Sequence, residues 1–88
     1  DWMEAVRVQA RRERFIERMG MAFETDGATR IMGRIFGLLL LSGKPQALDE
    51  IASALGVSRA SVSTEARKLL QLGLVERRSQ AGDRRDFY

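Results

Sequence analysis

The 88-residue sequence contains no cysteine and no histidine. Thiol nucleophiles, disulfide staples, Cys/His zinc sites and imidazole acid–base chemistry are thereby excluded, and no metal or cofactor is expected. Long apolar runs are missing too, since nothing approaches the roughly 20 apolar residues of a membrane span. The opening stretch, Asp1 to Arg12, is charged and lacks the apolar centre of a secretory signal. These absences point to a cytoplasmic protein without a membrane partner. Catalysis finds no support either, because the carboxylates fall at a helix start, along helix surfaces and in a charge cluster near Tyr88 rather than on convergent elements. No catalytic residue is nominated, and the chain reads as a non-enzyme.

What is present suffices for one small core. An apolar content of 44% and a charged content of 31% fit a single domain over residues 1–88. The charge is unevenly placed. Residues 1–56 carry eight Lys/Arg and eight Asp/Glu, whereas residues 57–88 carry seven against four, so the formal charge of +3 arises in the last third. Such an excess suits an anionic partner, and equally a solvated surface.

Residues 1–25 read as a long N-terminal helix, with charges and apolar residues mixed at helical intervals. Trp2, Met3, Val6 and Ala10 share one stripe, while Phe15, Ile16, Met19, Ala22 and Phe23 share another, turned by about half a revolution. Two neighbours are implied, one of them a partner subunit reached by a dimer arm; a kink in the helix reconciles the stripes equally. After Thr25-Asp26-Gly27, a second helix from about Thr29 to Leu41 is apolar nearly all round. It is the expected central helix, with Gly33 and Gly37 on one face admitting a close neighbour. Ser42-Gly43-Lys44-Pro45 ends it as a turn, and the spacing from Gly37 to Gly43 is wrong for a phosphate-binding loop.

The stretch from Leu48 to Val75, LDEIASALGVSRASVSTEARKLLQLGLV, holds the strongest pattern. Leu48, Ile51, Ala52 and Leu55 make a short amphipathic helix with Asp49 and Glu50 in its first turn, where the macrodipole favours carboxylates. Gly56 stops it, and Ser58 caps a second helix three residues later, which predicts a helix-turn-helix. In that second helix Val62, Ala66, Leu69 and Leu70 form the docking face. Ala60, Ser61, Thr64, Arg67, Lys68 and Gln71 lie opposite. A face that is small and hydroxylic at its start and cationic further along suits base edges and phosphates. With Ser58, Arg59 and Ser63 from the same segment, Ser61, Thr64, Arg67 and Lys68 are the candidate DNA contacts.

Beyond Gly73, Leu74 to Arg78 and Arg84 to Tyr88 read as the two strands of a hairpin with Ser79–Asp83 at its tip. A basic hairpin after a recognition helix is a wing, and an arginine there suits the narrow minor groove. Arg84 and Arg85 are its candidate DNA contacts, with Asp83 as wing support through an ion pair. Alternatively these charges merely pair among themselves on a solvated surface.

At this point the residues resemble the MarR superfamily of bacterial winged-helix regulators, and within it the GbsR-like branch. The blocks GRIFGLLLLSGKP, LDEIASALGVSRASVSTEARKLLQLGLV and GDRRDFY carry the likeness, and ERMGMAFETDG resembles the branch's leading helix. The resemblance implies a homodimer on a pseudo-palindromic operator, usually a repressor relieved by a small-molecule effector. Members similar to the branch's namesake control genes of choline and glycine-betaine metabolism. It also implies that Asp83 and Arg85 form the wing's Asp-x-Arg, with Arg85 in the minor groove and Arg84 on phosphate. Further helices that complete the dimer are expected outside these 88 residues.

The combined expectation is a mainly α fold with a small β-hairpin wing: a winged helix-turn-helix over 29–88 preceded by a long N-terminal helix. Its function is then sequence-specific DNA binding by a transcriptional regulator, a repressor, with its recognition helix in the major groove of double-stranded DNA. The competing reading is a winged-helix protein–protein interaction module without DNA specificity. Salt-dependent affinity for duplex DNA separates the two.

Overall fold

A computed structural model describes all 88 residues, which form four helices: α1 (Trp2–Thr25), α2 (Arg30–Ser42), α3 (Leu48–Leu55) and α4 (Arg59–Gln71). Local chemistry sets their limits. The Asp1 carboxylate accepts the Glu4 amide at 2.8 Å, the Thr29 hydroxyl accepts the Met32 amide at 3.1 Å, and the Ser58 hydroxyl accepts the Ser61 amide at 3.1 Å. Each satisfies an N–H that a helix start leaves without a partner. Ala47, before α3, has no such group, and the Glu50 side chain instead reaches back to accept the Ala47 N–H at 2.8 Å. Gly43 and Gly56 end α2 and α3 in the left-handed region, at φ 70° and 68°, where a side chain would be strained.

Helix α2 is central and touches the other three. Its Met32 and Ile35 meet Ile51, Ala52 and Leu55 of α3 and Val62 and Leu69 of α4 in one buried cluster. Ile35, Ile51, Val62 and Leu69 are its largest fully buried side chains. Burial of each contributes about 1.5–3 kcal/mol, which fixes the rotation of α4 and turns its other face to solvent.

The second half of α1 lies on α2, with Ile16 and Phe23 against the core and the Phe23 and Phe36 rings 5.6 Å apart. The two helices approach most closely where Gly20 meets Gly33: a Cβ on Gly33 would collide with the Met19 carbonyl oxygen. The first half of α1 has no neighbour. Trp2 is 73% exposed and Val6 57%. The change of apolar stripe along this helix therefore marks where contact with α2 begins.

One side chain ties three helices together. The Arg34 guanidinium meets the Glu17 carboxylate of α1 at 2.7 Å and donates to the Leu55 carbonyl, at the end of α3, at 2.9 Å. Replacing Arg34 by methionine keeps much of the stem's apolar contact but strands that carbonyl and the last turn of α3. We expect a loss of about 1–2 kcal/mol in urea unfolding; an unchanged midpoint would show that water serves the carbonyl equally well.

The wing corrects the sequence expectation. No β-ladder joins Leu74–Arg78 to Arg84–Tyr88, so the small β-hairpin is absent as a pair of strands. Arg78 and Phe87 exchange two backbone hydrogen bonds, at 2.7 and 2.9 Å, in an isolated bridge. Phe87 also bridges to Ala47, where Gln46 and Tyr88 exchange two bonds of 2.8 Å. The cause is local competition for backbone groups. The Asp83 carboxylate accepts the Arg85 amide at 2.9 Å, and the Asp83 amide donates to Gln80 at 3.1 Å, closing a turn around Gly82. The returning chain then pairs on both sides at once, with Arg78 and with the segment before α3. The result is a loop closed at its base.

Candidate nucleic-acid interface

The core positions of α4 are Val62, Glu65, Ala66 and Leu69. At 100° per residue, Ala60, Thr64, Arg67 and Gln71 fall on the opposite arc, and all four are exposed. They form a ridge on the surface, framed by the turn at Gly56–Ser58. Arg59 is exposed at its start, and Ser63 is half-buried on one flank. Ser61 is half-buried on the other flank, and its hydroxyl accepts from the Ser58 hydroxyl at 2.9 Å. Ser58 and Ser61 thus hold the helix start together, and Thr64 is the hydroxyl left facing outward.

The cations divide into two groups. Lys68 meets both carboxylate oxygens of Glu65 at 3.2 Å, Arg78 meets Glu76 at 3.0 Å, and Arg85 meets Asp83 and Asp49 at 2.8 and 3.2 Å. Arg59, Arg67, Arg77 and Arg84 make no ion pair. Their charge is uncompensated by any close carboxylate and open to an external anion. Of the candidate cations named from the sequence, Arg59, Arg67 and Arg84 stand free, whereas Lys68 and Arg85 are engaged within the chain.

Arg85 is held most closely. Its Nε and Nη2 donate to the two Asp83 carboxylate oxygens at 3.0 and 2.8 Å, and its Nη1 donates to Asp49 at 3.2 Å. Its guanidinium carbon lies 5.2 Å from the centre of the buried Phe87 ring. The Arg85 side chain and then its backbone N–H hold the Asp83 carboxyl down at about 2, against an ordinary value of 3.8, and Asp83 raises Arg85 in turn. Because the folded value lies below the ordinary one, this pairing is fully present above about pH 4 and is lost as pH falls through about 2. Carbon-detected NMR of the Asp83 carboxyl should therefore show titration near pH 2; a midpoint near 4 would show that Arg85 does not grip it.

Two residues of this surface escaped the sequence reading. The sequence marks Asp49 only as a first-turn carboxylate of α3, and nothing local reveals a partner 36 residues away. Glu65 lies on the docked side of α4 with 9% exposure, and the signal was available: Lys68 stands three residues on, one turn along the helix.

Comparison with known proteins gives a consistent picture. Residues 29–86 match the sequence profile of the MarR family. The chain is 44% identical over 75 residues to the HTH-type transcriptional regulator MmpR5 of Mycobacterium tuberculosis, a match covering 84% of this chain and 46% of that protein. It is 29% identical over 76 residues to the HTH-type transcriptional repressor OpcR of Bacillus subtilis, covering 86% of this chain and 41% of the relative. A crystal structure of a transcriptional regulator superposes with a TM-score of 0.83 at 43% identity, over 86% of this chain and 52% of that one. The chain thus spans about half the length of the proteins it matches.

Proposed function

The chain belongs to the MarR family, and from that premise we propose that it is the DNA-reading part of a sequence-specific transcriptional regulator that acts as a repressor. The exposed ridge of α4 carries this reading. Ala60 and Thr64 are small enough to let the helix approach base edges in the major groove, while Arg67 on the ridge and Arg59 at the helix start stand unpaired for phosphates. The wing loop supplies Arg84 and Arg85 as the proposed contacts to the adjacent minor groove. The name of OpcR as a repressor supports the direction of regulation.

Within the family, the blocks around Gly33–Pro45 and Gly82–Tyr88 favour the GbsR-like branch. The regulator works as a homodimer, for which the neighbourless half of α1 supplies an apolar surface in Trp2, Met3 and Val6. Release by a small-molecule effector accompanies the same resemblance. Selection of bound sequences from a random duplex library tests the reading as a whole. A dimer should enrich a pseudo-palindrome with half-sites about one helical turn apart, roughly 10 base pairs. Recovery of unenriched sequence, with affinity insensitive to salt, would remove DNA reading from this surface.

A further inference from the structure

We infer that Arg34 is a positioning residue for DNA reading: its bond to the Leu55 carbonyl sets the turn from which α4 starts, and Glu17 of α1 holds it there. The functional half of this inference rests on the DNA-binding reading, and the structural half stands on geometry alone.

Only Gly56, Val57 and Ser58 separate α3 from α4. A recognition helix meets base edges mainly with its N-terminal residues, here Arg59, Ala60 and Thr64. The first buried anchor of α4 is Val62, so the direction in which the chain leaves the turn decides where those residues stand. The peptide joining Leu55 to Gly56 is the loosely held part. Its N–H reaches the Ser53 carbonyl at a long 3.4 Å, and Gly56 follows at φ 68°, in a region that glycine enters freely. Because a peptide group is planar, fixing its oxygen fixes its N–H as well. Arg34 Nη2 does this by donating to the Leu55 oxygen at 2.9 Å. That oxygen lies at the negative end of the α3 dipole, where a cation is favoured.

Arg34 is itself pinned at two further points. Its stem crosses α1 at Gly20, where a Cβ would lie 2.9 Å from the Arg34 Cγ, and its Nε lies 2.7 Å from Glu17 Oε1. With its side chain 21% exposed, the guanidinium has little room to swing. Arg30 supplies the comparison within the same molecule. Its Cγ also lies 2.9 Å from a Cβ built on Gly20, and its guanidinium meets Glu24 at 2.9 Å, but it makes no hydrogen bond to α3. Two arginines one turn apart on α2 thus grip α1 in the same way, and one of them extends that grip to the reading head. A tie that served only the crossing of α1 and α2 has no use for this third contact.

DNA titrations and amide exchange on the full-length protein test this, under conditions where every variant keeps its helical circular dichroism. Arg34→Met should weaken affinity for a duplex selected by the parent roughly three- to tenfold and speed amide exchange at Val57. It should leave the slope of log affinity against log salt unchanged, because Arg34 meets no phosphate. Glu17→Met should act in the same direction and add nothing in an Arg34→Met background, since Glu17 works through that side chain. Arg34→Lys carries one point of attachment instead of a fork, so it should not restore the affinity. Arg30→Met should match the parent in affinity and in exchange at Val57. Unchanged exchange at Val57 in Arg34→Met would overturn the inference, by showing that the turn is held without this side chain. Loss of a unit of slope would also overturn it, by placing Arg34 on a phosphate. An equal loss of affinity in Arg30→Met would reduce both arginines to ties between α1 and α2, and full affinity in Arg34→Lys or an undiminished second loss from Glu17→Met would sink the relay. If the parent protein binds no duplex, the role in DNA reading fails with the reading it rests on, while exchange at Val57 still decides the turn.

Discussion

Replacing Gly33 by alanine should destabilise the fold by about 2–3 kcal/mol, lowering the melting temperature of the helical circular dichroism signal by roughly 10–20 °C. Helix propensity argues the reverse, since alanine is favoured over glycine in a helix interior by about 1 kcal/mol. The sign is decided by the neighbour. A Cβ at this position meets the Met19 carbonyl oxygen and the Gly20 Cα, both backbone atoms of α1 that no rotamer change can move aside. The helices must separate, and the contacts of Ile16 and Phe23 with the core loosen with them. Gly37 provides the control one turn further along, where a Cβ would lie 3.2 Å from the Met19 Cβ and Cγ and 3.3 Å from the Ile16 Cα, a tight contact that a shift of a few tenths of an ångström relieves. Gly37→Ala should change stability by no more than about 1 kcal/mol. Equal effects at the two positions would mean that α1 and α2 do not cross as closely as described.

The largest effect on function is expected at Arg59 and Arg67 together. Neither has an ion-pair partner, and both are exposed, Arg67 on the α4 ridge and Arg59 at the start of the helix. If each neutralises one phosphate, each contributes about 0.9 to the slope of log affinity against log salt. At 0.1 M salt the double change to alanine then costs roughly 50- to 100-fold in affinity per half-site and removes nearly two units of slope. Thr64→Val should behave differently. It keeps the shape and the charge, so it leaves the slope alone and shifts the sequence preferred by the ridge. Electrophoretic titration of both variants at several salt concentrations checks the division; a Thr64→Val variant with an unaltered preference would show that the ridge does not read bases through this hydroxyl.

The legible parts of this fold are those governed by neighbours a turn apart. Spacing alone located α3 and α4, because Ile51, Leu55, Val62 and Leu69 must share a core and Ser58 must begin a helix. The same logic separated the docked side of α4 from its ridge. It also places Glu65, three residues after Val62, on the docked side, where only its charge argues against burial. It gives no account of the wing, where the apolar pair Leu74-Val75 and the charges after it do not show that the Asp83 side chain claims the Arg85 amide. The bridge from Ala47 to Phe87 and the contact from Asp49 to Arg85 join segments distant in sequence, which no local period encodes. Arg85 shows the practical result. A motif match identified the side chain, and only its surroundings reveal that its charge is already spoken for.

The close crossing of α1 and α2 has a consequence for distance as well as for stability. From Gly20 to Trp2, α1 extends roughly 27 Å at 1.5 Å per residue, so the crossing is the fulcrum of a long lever. A tilt of about 10° there swings Trp2 by roughly 5 Å, more than one base-pair step of about 3.4 Å. If the proposed homodimer is joined through these arms, the gauge between its two reading heads would depend on how near Gly20 can come to Gly33. Atoms far from any base would then bear on which half-site spacing both heads of that proposed dimer can occupy at once.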